Sequence, residues 1–594
     1  MLRQYFATKQ RYPGVLLAMR VGDFYEFYGE DAEVAARALE ITLTGREDGK
    51  NGRVAMAGVP YHSVDKYLAR LIKQGFKVAL CDQVEDPKLA KGLVKREVTR
   101  VLTPGTVVED SMLESSSNNF LAAAAPMGET AGVSFLDLTT GEFLVTQISG
   151  EGAEEKVLEE IARFNPAECL LPEDAEELFE LISQIKQTMI TRGKFLRPSD
   201  ARYRLLKQFE TQSLSPFGLE ELEAATSAAG SILNYLDENS IQSTHIQQIR
   251  TYFPGDRMRM DSATVKSLEL VANMTSGGRK MTLLETLDFT QTPMGARLIK
   301  RWITEPLLNI EEITQRLDSV EIMKNNAIAR MELRTVLNKL YDLDRLVGRV
   351  STGVANARDL DALRNSLSAI PELQEVLIPL RQGRCKTLQY EIDPHSDLLA
   401  KLKLAIVDDP PFSLREGGVI RKGFHQELDG LRSVSKEGKE FIAKLENEER
   451  EKTGIEKLKA GYNSVFGYYL EIPKSQTDKA PPHYIRKQTT TNTERYITAE
   501  LKEYEAKVLG AEERAMELEY RLFNEIRLEV ASHANTLLQT SRAIAELDVL
   551  QSFAESAVRY RFTKPQLEDS RILEIQNGRH PVVEANMAIG SFVP

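Results

Sequence analysis

The chain has 594 residues, 42% hydrophobic and 28% charged, with a formal net charge of −12. That length calls for about three to five domains at roughly 100–200 residues each, and the composition excludes collagen-like, mucin-like and wholly disordered chains. No apolar run approaches the roughly 18 residues of a membrane span, Met1-Leu2-Arg3-Gln4-Tyr5 has no signal-peptide core, and the scattered Cys81, Cys169 and Cys385 fit a reducing compartment rather than a disulfide framework.

Residues 1–110 read as a mixed α/β unit. Val15–Met19 is a short strand-like run, and Gly22-Asp23-Phe24-Tyr25-Glu26-Phe27-Tyr28-Gly29 is a second, rich in aromatics. Glu30–Glu40 is Ala-rich with acidic residues in its first turn, a helix. Val64–Gln74 is another, with Val64, Tyr67, Leu68, Leu71 and Ile72 on one face. Lys77–Cys81 follows as a strand. A linker and first strand occupy 113–130, and Gly132–Thr146 reads as a hairpin turning at Thr140-Gly141. Alternating helices and strands to about 245 make a second α/β domain.

From about 260 helical patterns dominate. The exception is a β island near 455–498, with strand runs at Tyr462–Ile472 and Tyr484–Thr491. Long helical patterns flank it. Upstream, Glu427–Glu451 places Leu431, Val434, Phe441 and Leu445 on one side. Downstream, Leu501, Tyr504, Val508, Ala511, Ala515, Leu518 and Leu522 form a heptad seam about 31 Å long. Two long helices with a small sheet between them suggest an arm with a module at its tip. Residues 563–594 return to strand and turn composition, and Ile572–Ile575 and Pro581–Glu584 start a domain without completing it.

The net charge alone weighs against a nucleic-acid partner, but it is unevenly spread. Residues 151–240 carry 9 Lys+Arg against 18 Asp+Glu, residues 1–110 carry 17 against 15, and residues 452–498 carry 8 against 4. The first and last segments remain open to an anionic partner.

Signatures of catalysis are weak. No G-x-x-x-x-G-K-[ST] occurs, so the chain has no phosphate cradle, and there is no H-E-x-x-H or C-x-x-C. The seven histidines are scattered, and Asp137 is a lone carboxylate where a two-metal nuclease site needs several. The sharper signal is the aromatic strand. Alternation puts Phe24, Glu26 and Tyr28 on one face and Asp23, Tyr25 and Phe27 on the other. Composition alone suits a half-buried structural strand. The functional reading is a Phe wedge that enters the minor groove at a weakly paired base, with a carboxylate that repels intact phosphates and contacts a base.

The run Gly22–Tyr28, with Glu30-Asp31-Ala32, Leu39–Thr44 and Met56–Val64, closely resembles the mismatch-recognition domain of the MutS family of DNA mismatch-repair proteins. Leu287–Arg297, Trp302, Pro306-Leu307 and Tyr341–Leu346 resemble that family's core. Gly461–Asn463, Gly467–Tyr469, Tyr484–Thr489 and Glu494–Thr498 resemble its clamp, and Gly578–Val583 the opening of its ATPase domain.

The resemblance implies a multidomain α/β plus α fold. Its parts are a mismatch-recognition domain (1–112), an RNase H-like connector (113–245), core and lever helices (246–436 and 501–562), an inserted β clamp (437–500) and the start of an ATPase domain (563–594). It makes Phe24 the intercalating residue and Glu26 the base contact. Arg486, Lys487 and Arg495 become candidate phosphate contacts, with Lys457, Lys459 and Lys474 behind them. It implies a homodimer closing around double-stranded DNA with mismatches or small loops, a MutL-type partner at the connector, and a bacterial cytoplasmic, nucleoid-associated setting. ATP and Mg are expected for the full-length protein only, because the P-loop and the remainder of the ATPase domain are missing from this sequence. Two other readings are a MutS-like recombination protein binding branched DNA, against which Phe24 and Glu26 argue, and a helical scaffold that binds only protein.

Overall fold

The computed structural model describes all residues except 48–51, 85–93, 254, 256, 259, 412, 415–416, 464–466 and 589, and the side chains of 435, 437–443 and 463. It divides into two compact units. One comprises 1–355, 365–395 and 530–594, the other 356–364 and 396–529.

The first unit holds two six-stranded sheets among the described residues. The N-terminal sheet runs β3 (Thr44–Glu47), β4 (Arg53–Pro60), β2 (Phe24–Tyr28), β1 (Leu16–Val21), β5 (Val78–Gln83), β6 (Arg96–Leu102). Only the β1–β5 pair is parallel. Pleating sends Tyr25 and Phe27 into a core with the helices Glu30–Leu39 and Val64–Lys73. The opposite face is covered in part by the helix Leu2–Lys9, which the sequence pattern did not suggest. Its Tyr5 ring meets Tyr28 at 5.0 Å. Tyr28 is therefore buried, although it shares a face with the exposed Phe24.

The second sheet runs β11 (Met189–Gly193), β10 (Glu168–Pro172), β7 (Phe120–Met127), β8 (Thr130–Asp137), β9 (Glu142–Ser149), β12 (Arg250–Thr251). The β7-β8-β9 meander is antiparallel, and β10 and β11 add in parallel on the β7 side. This is the strand order of an RNase H-like sheet. β12 pairs with β9, so the sheet extends past the expected boundary at 245. The helix Glu223–Glu238 packs so closely that a Cβ on Gly132 would sit 2.1 Å from the Ala224 carbonyl carbon.

Around the buried helix Ala534–Arg559 pack the helices Pro293–Thr304, Ile310–Asn325, Ala327–Leu337 and Leu343–Thr352. Asp548 organises this core. Its buried carboxylate accepts from the Gln291 and Thr292 amides, the Thr292 hydroxyl and the Gln551 amide group. Burial raises its pKa to about 6. Residues 563–594 form no strand among those described, contrary to expectation. Pro581–Ala585 is a five-residue helix, and Ile572, Leu573 and Ile575 are exposed. The apolar alternation there finds no neighbouring strand to pair with.

In the second unit the helices Gln426–Thr453 and Ala499–Ser532 flank a four-stranded antiparallel sheet, β13 (Lys459–Asn463), β14 (Gly467–Pro473), β16 (Thr493–Ile497), β15 (Ile485–Thr489). The first helix runs through the expected clamp boundary at 437, so the sheet occupies 459–497 alone. Six of the seven heptad residues are buried, and Tyr504 is half-buried. Of the upstream stripe, Leu445 is buried and Leu431 and Val434 are half-buried. Phe441 lies outside the described side chains, as Ser464–Phe466 lie outside the described residues.

Candidate nucleic-acid interface

Phe24 opens β2 opposite Pro60 of β4 and Val21 of β1. Its side chain is 47% exposed, while Tyr25 and Phe27 on the other face are buried. A phenyl ring held on a strand yet left in water is costly. Its exposed half forgoes roughly half of the about 1.5–3 kcal/mol that full burial of such a side chain supplies.

Glu26 stands two residues on, roughly 6.7 Å along the same face. The Tyr28 hydroxyl donates to its carboxylate, and Arg46 from β3 reaches the same oxygen at 3.2 Å. Arg46 also donates to the Tyr28 hydroxyl at 2.9 Å. Burial, then the bond to Glu26, raises the Tyr28 pKa, so this phenol stays a donor. Gly58 of β4 lies opposite Glu26. A Cβ there would come 3.5 Å from the Glu26 Cγ and 3.9 Å from the Phe24 ring. Glycine thus leaves an open lane beside both side chains.

Arg46 is a further candidate that the sequence pattern missed. It lies 20 positions from Glu26, and only the pairing of β3 through β4 brings it there. Nearby, Arg20 lies over the Tyr61 ring at 3.8 Å, and the Tyr61 amide donates to the Asp23 carbonyl at 2.9 Å. These contacts fix the turn leading into Phe24.

The basic candidates gather on the small sheet of the second unit. Arg486 and Lys487 are exposed on β15, where the register slips between Arg486 and Gln488. Arg486 is 3.2 Å from Glu494, with a side chain 62% exposed. Lys457, Lys459 and Lys474 are exposed as well. Arg495 differs. Its guanidinium reaches Glu471 at 2.9 Å and Gln488 at 2.9 Å, and lies over the Tyr469 ring at 4.3 Å. It is committed within the sheet.

Asp137 carries no catalytic constellation. It is fully buried and accepts from Asn118, the Asn119 amide, the Thr139 amide and hydroxyl, and the Thr140 amide, at 2.6–3.3 Å. It pins the β8–β9 turn to the segment entering β7. No group of three or more His, Cys, Asp or Glu is placed to hold a metal ion, and no helix is long and apolar enough to cross a membrane, among the described residues.

Three family models match the chain: MutS domain I at residues 1–111, MutS domain II at 119–250 and MutS domain III at 263–554. The DNA mismatch repair protein MutS of Symbiobacterium thermophilum is 47% identical over 600 residues, an alignment covering 100% of this chain and 69% of that protein. Its namesake from Halothermothrix orenii is 45% identical over 597 residues, covering 100% and 66%, and that from Methanosarcina mazei 43% over 614, covering 100% and 68%. With a recognition sheet, an RNase H-like sheet and a helical core in this order, the chain belongs to the MutS family.

Proposed function

We propose that this chain recognises mismatched or unpaired bases in duplex DNA and so initiates mismatch repair. The exposed Phe24 ring, on a strand whose other aromatics are buried, carries the reading. Inserting a phenyl wedge costs the unstacking of a base step, a few kcal/mol, and that cost is least where pairing is already broken. Phe24 therefore reads deformability rather than sequence. Glu26 faces the same side and offers an acceptor to a displaced base. Its charge repels the phosphates of an intact duplex, and Arg46 moderates that repulsion.

Arg486 and Lys487 supply contacts to the backbone that position the duplex without reading it. The proposal extends to a homodimer, in which Phe24 of one subunit probes the step, and to a MutL-type partner at the connector. The setting we infer is the bacterial cytoplasm and nucleoid. ATP and Mg belong to the proposal only for a longer protein. No phosphate-cradle sequence is present in the chain, and no step above uses them.

The test is a mobility-shift titration with matched and G·T duplexes. Phe24→Ala should bring the affinity ratio between the two close to one. Its loss of affinity for the matched duplex should stay below about threefold. An unchanged ratio in the variant would refute the wedge.

A further inference from the structure

β2 carries Phe24, Glu26 and Tyr28 on one face, and each meets a different environment. Phe24 is in water, whereas Tyr28, at the far end of the strand, is 1% exposed. The Tyr28 ring sits edge-on against Tyr5 at 5.0 Å. Tyr5 is itself anchored. Its hydroxyl lies 2.9 Å from the Leu17 carbonyl and 3.0 Å from the Asp31 carboxylate, which also accepts from Lys9 at 2.7 Å and from the Leu17 amide at 3.0 Å. The Tyr28 phenol therefore stands on a fixed base.

Its hydroxyl donates to Glu26 Oε2 and accepts from Arg46 at 2.9 Å. Arg46 reaches the same Oε2 at 3.2 Å. Both donors thus fall on one carboxylate oxygen. The other, Oε1, takes no hydrogen bond among the described residues. Gly58, opposite Glu26 on β4, puts no side chain over it.

Packing here asks only for an aromatic ring. A phenylalanine would fill the same space and bring no hydroxyl to desolvate. The hydroxyl's acceptor is Glu26, on the face that carries the wedge. A glutamate that engages a partner ordinarily gives up rotamer freedom when it does so. Here two donors remove that freedom before any base arrives, and a group fixed in advance binds more tightly.

We propose that Tyr28 is a positioning residue for base recognition: its hydroxyl clamps Glu26 Oε2, so that Oε1 is held on the Phe24 face to accept from an N–H of the displaced base. This rests on the reading of Glu26 as the base contact, and deepens it. Tyr28 touches no DNA and acts through Glu26.

The experiment is a double-mutant cycle on the whole chain, read by mobility shift with matched and G·T duplexes. Tyr28→Phe keeps the ring against Tyr5 and removes the hydroxyl alone. It should weaken G·T binding at least about threefold, as expected for one lost hydrogen bond, and shift matched binding by less than about 1.5-fold. In a Glu26→Ala background the same change should shift G·T binding by less than about 1.5-fold, because the carboxylate it positions is gone. A role in the fold alone would persist in that background. Tyr203→Phe, exposed on the helix Pro198–Gln208, should leave both duplexes unchanged. A G·T loss below about threefold in Tyr28→Phe, an equal loss on both duplexes, or the same loss in the Glu26→Ala background would each overturn the proposal. A wild type that binds both duplexes alike would sink the reading of the whole site, and this role with it. A wild type that prefers the G·T duplex, beside a Tyr28→Phe variant with the same preference, would remove the role of Tyr28 alone.

Discussion

At the scale of single residues, the chain separates side chains that hold the fold from one that departs from it. Asp137 is a lone carboxylate in sequence, and its oxygens are taken up by the β8–β9 turn and the segment entering β7. Phe24 resembles a core aromatic and is left in water. His245 shows the cost of a buried titratable group. It is fully buried, and its Nε2 bonds to the Leu138 carbonyl at 2.8 Å. Burial lowers its pKa from 6.5 to about 4. The unfolded chain therefore binds a proton between these values that the folded chain refuses. The stability this group contributes is complete above pH 6.5 and is lost as pH falls towards 4. Between pH 7 and pH 5 the loss is about 2 kcal/mol. Native-state hydrogen exchange of the β8 and β9 amides measures it, after correction for intrinsic exchange. His245→Gln should remove most of that difference between the two pH values.

Among the elements, the segment joining the two sheets of the first unit is held by the helical core rather than left loose. Arg345 donates to the Glu114 and Ser117 carbonyls, both at 2.8 Å, and Arg297 to the Ser115 carbonyl at 3.0 Å. Arg349 pairs with Asp110 at 2.5 Å. Arg297 is itself forked onto Asp342 at 2.6 and 2.8 Å, and that fork outweighs burial to hold the Asp342 carboxyl below its ordinary range. Three arginines thus grip 110–117 by its backbone and one acid. Arg345→Met should release two of these bonds, each worth about 1.5–3 kcal/mol when charged. Exchange of the 114–118 amides should rise at least tenfold, with the β8 amides unchanged. The sequence motifs containing Arg297, Asp342 and Arg345 were legible as family signatures, but their purpose was not, because the partners lie some 180 to 230 positions away. Periodicity read the heptad seam and the aromatic strand well, since both depend on local spacing. It missed the helix Leu2–Lys9, which is short and weakly patterned, and it placed strands after 563. Arg46 was invisible for a related reason: only sheet register sets it beside Glu26.

For the whole molecule, the net charge of −12 conceals a division of labour. Much of the acid sits in 151–240, within and beside the second sheet, while the small sheet of the second unit carries exposed Arg486, Lys487 and Lys459, with Lys457 and Lys474 at its strand ends. Reading and holding DNA should therefore fail separately. In the function proposed above, Phe24 works through the energy of deforming a base step, an uncharged term that salt hardly touches. In the same proposal, Arg486 and Lys487 work through displaced counterions, a term that depends on salt and not on the base step. Replacing both with Ala removes two cationic contacts. On a plot of log affinity against log salt, the slope should become shallower by about 1.8, at roughly 0.9 per phosphate neutralised. At 0.15 M salt, affinity for matched and G·T duplexes should fall together by roughly tenfold or more, leaving their ratio within about twofold of the wild type. The measurement is a fluorescence-anisotropy titration at four salt concentrations with both duplexes. A ratio that collapses while the slope holds would mean that these two residues read the mismatch and do not grip the backbone.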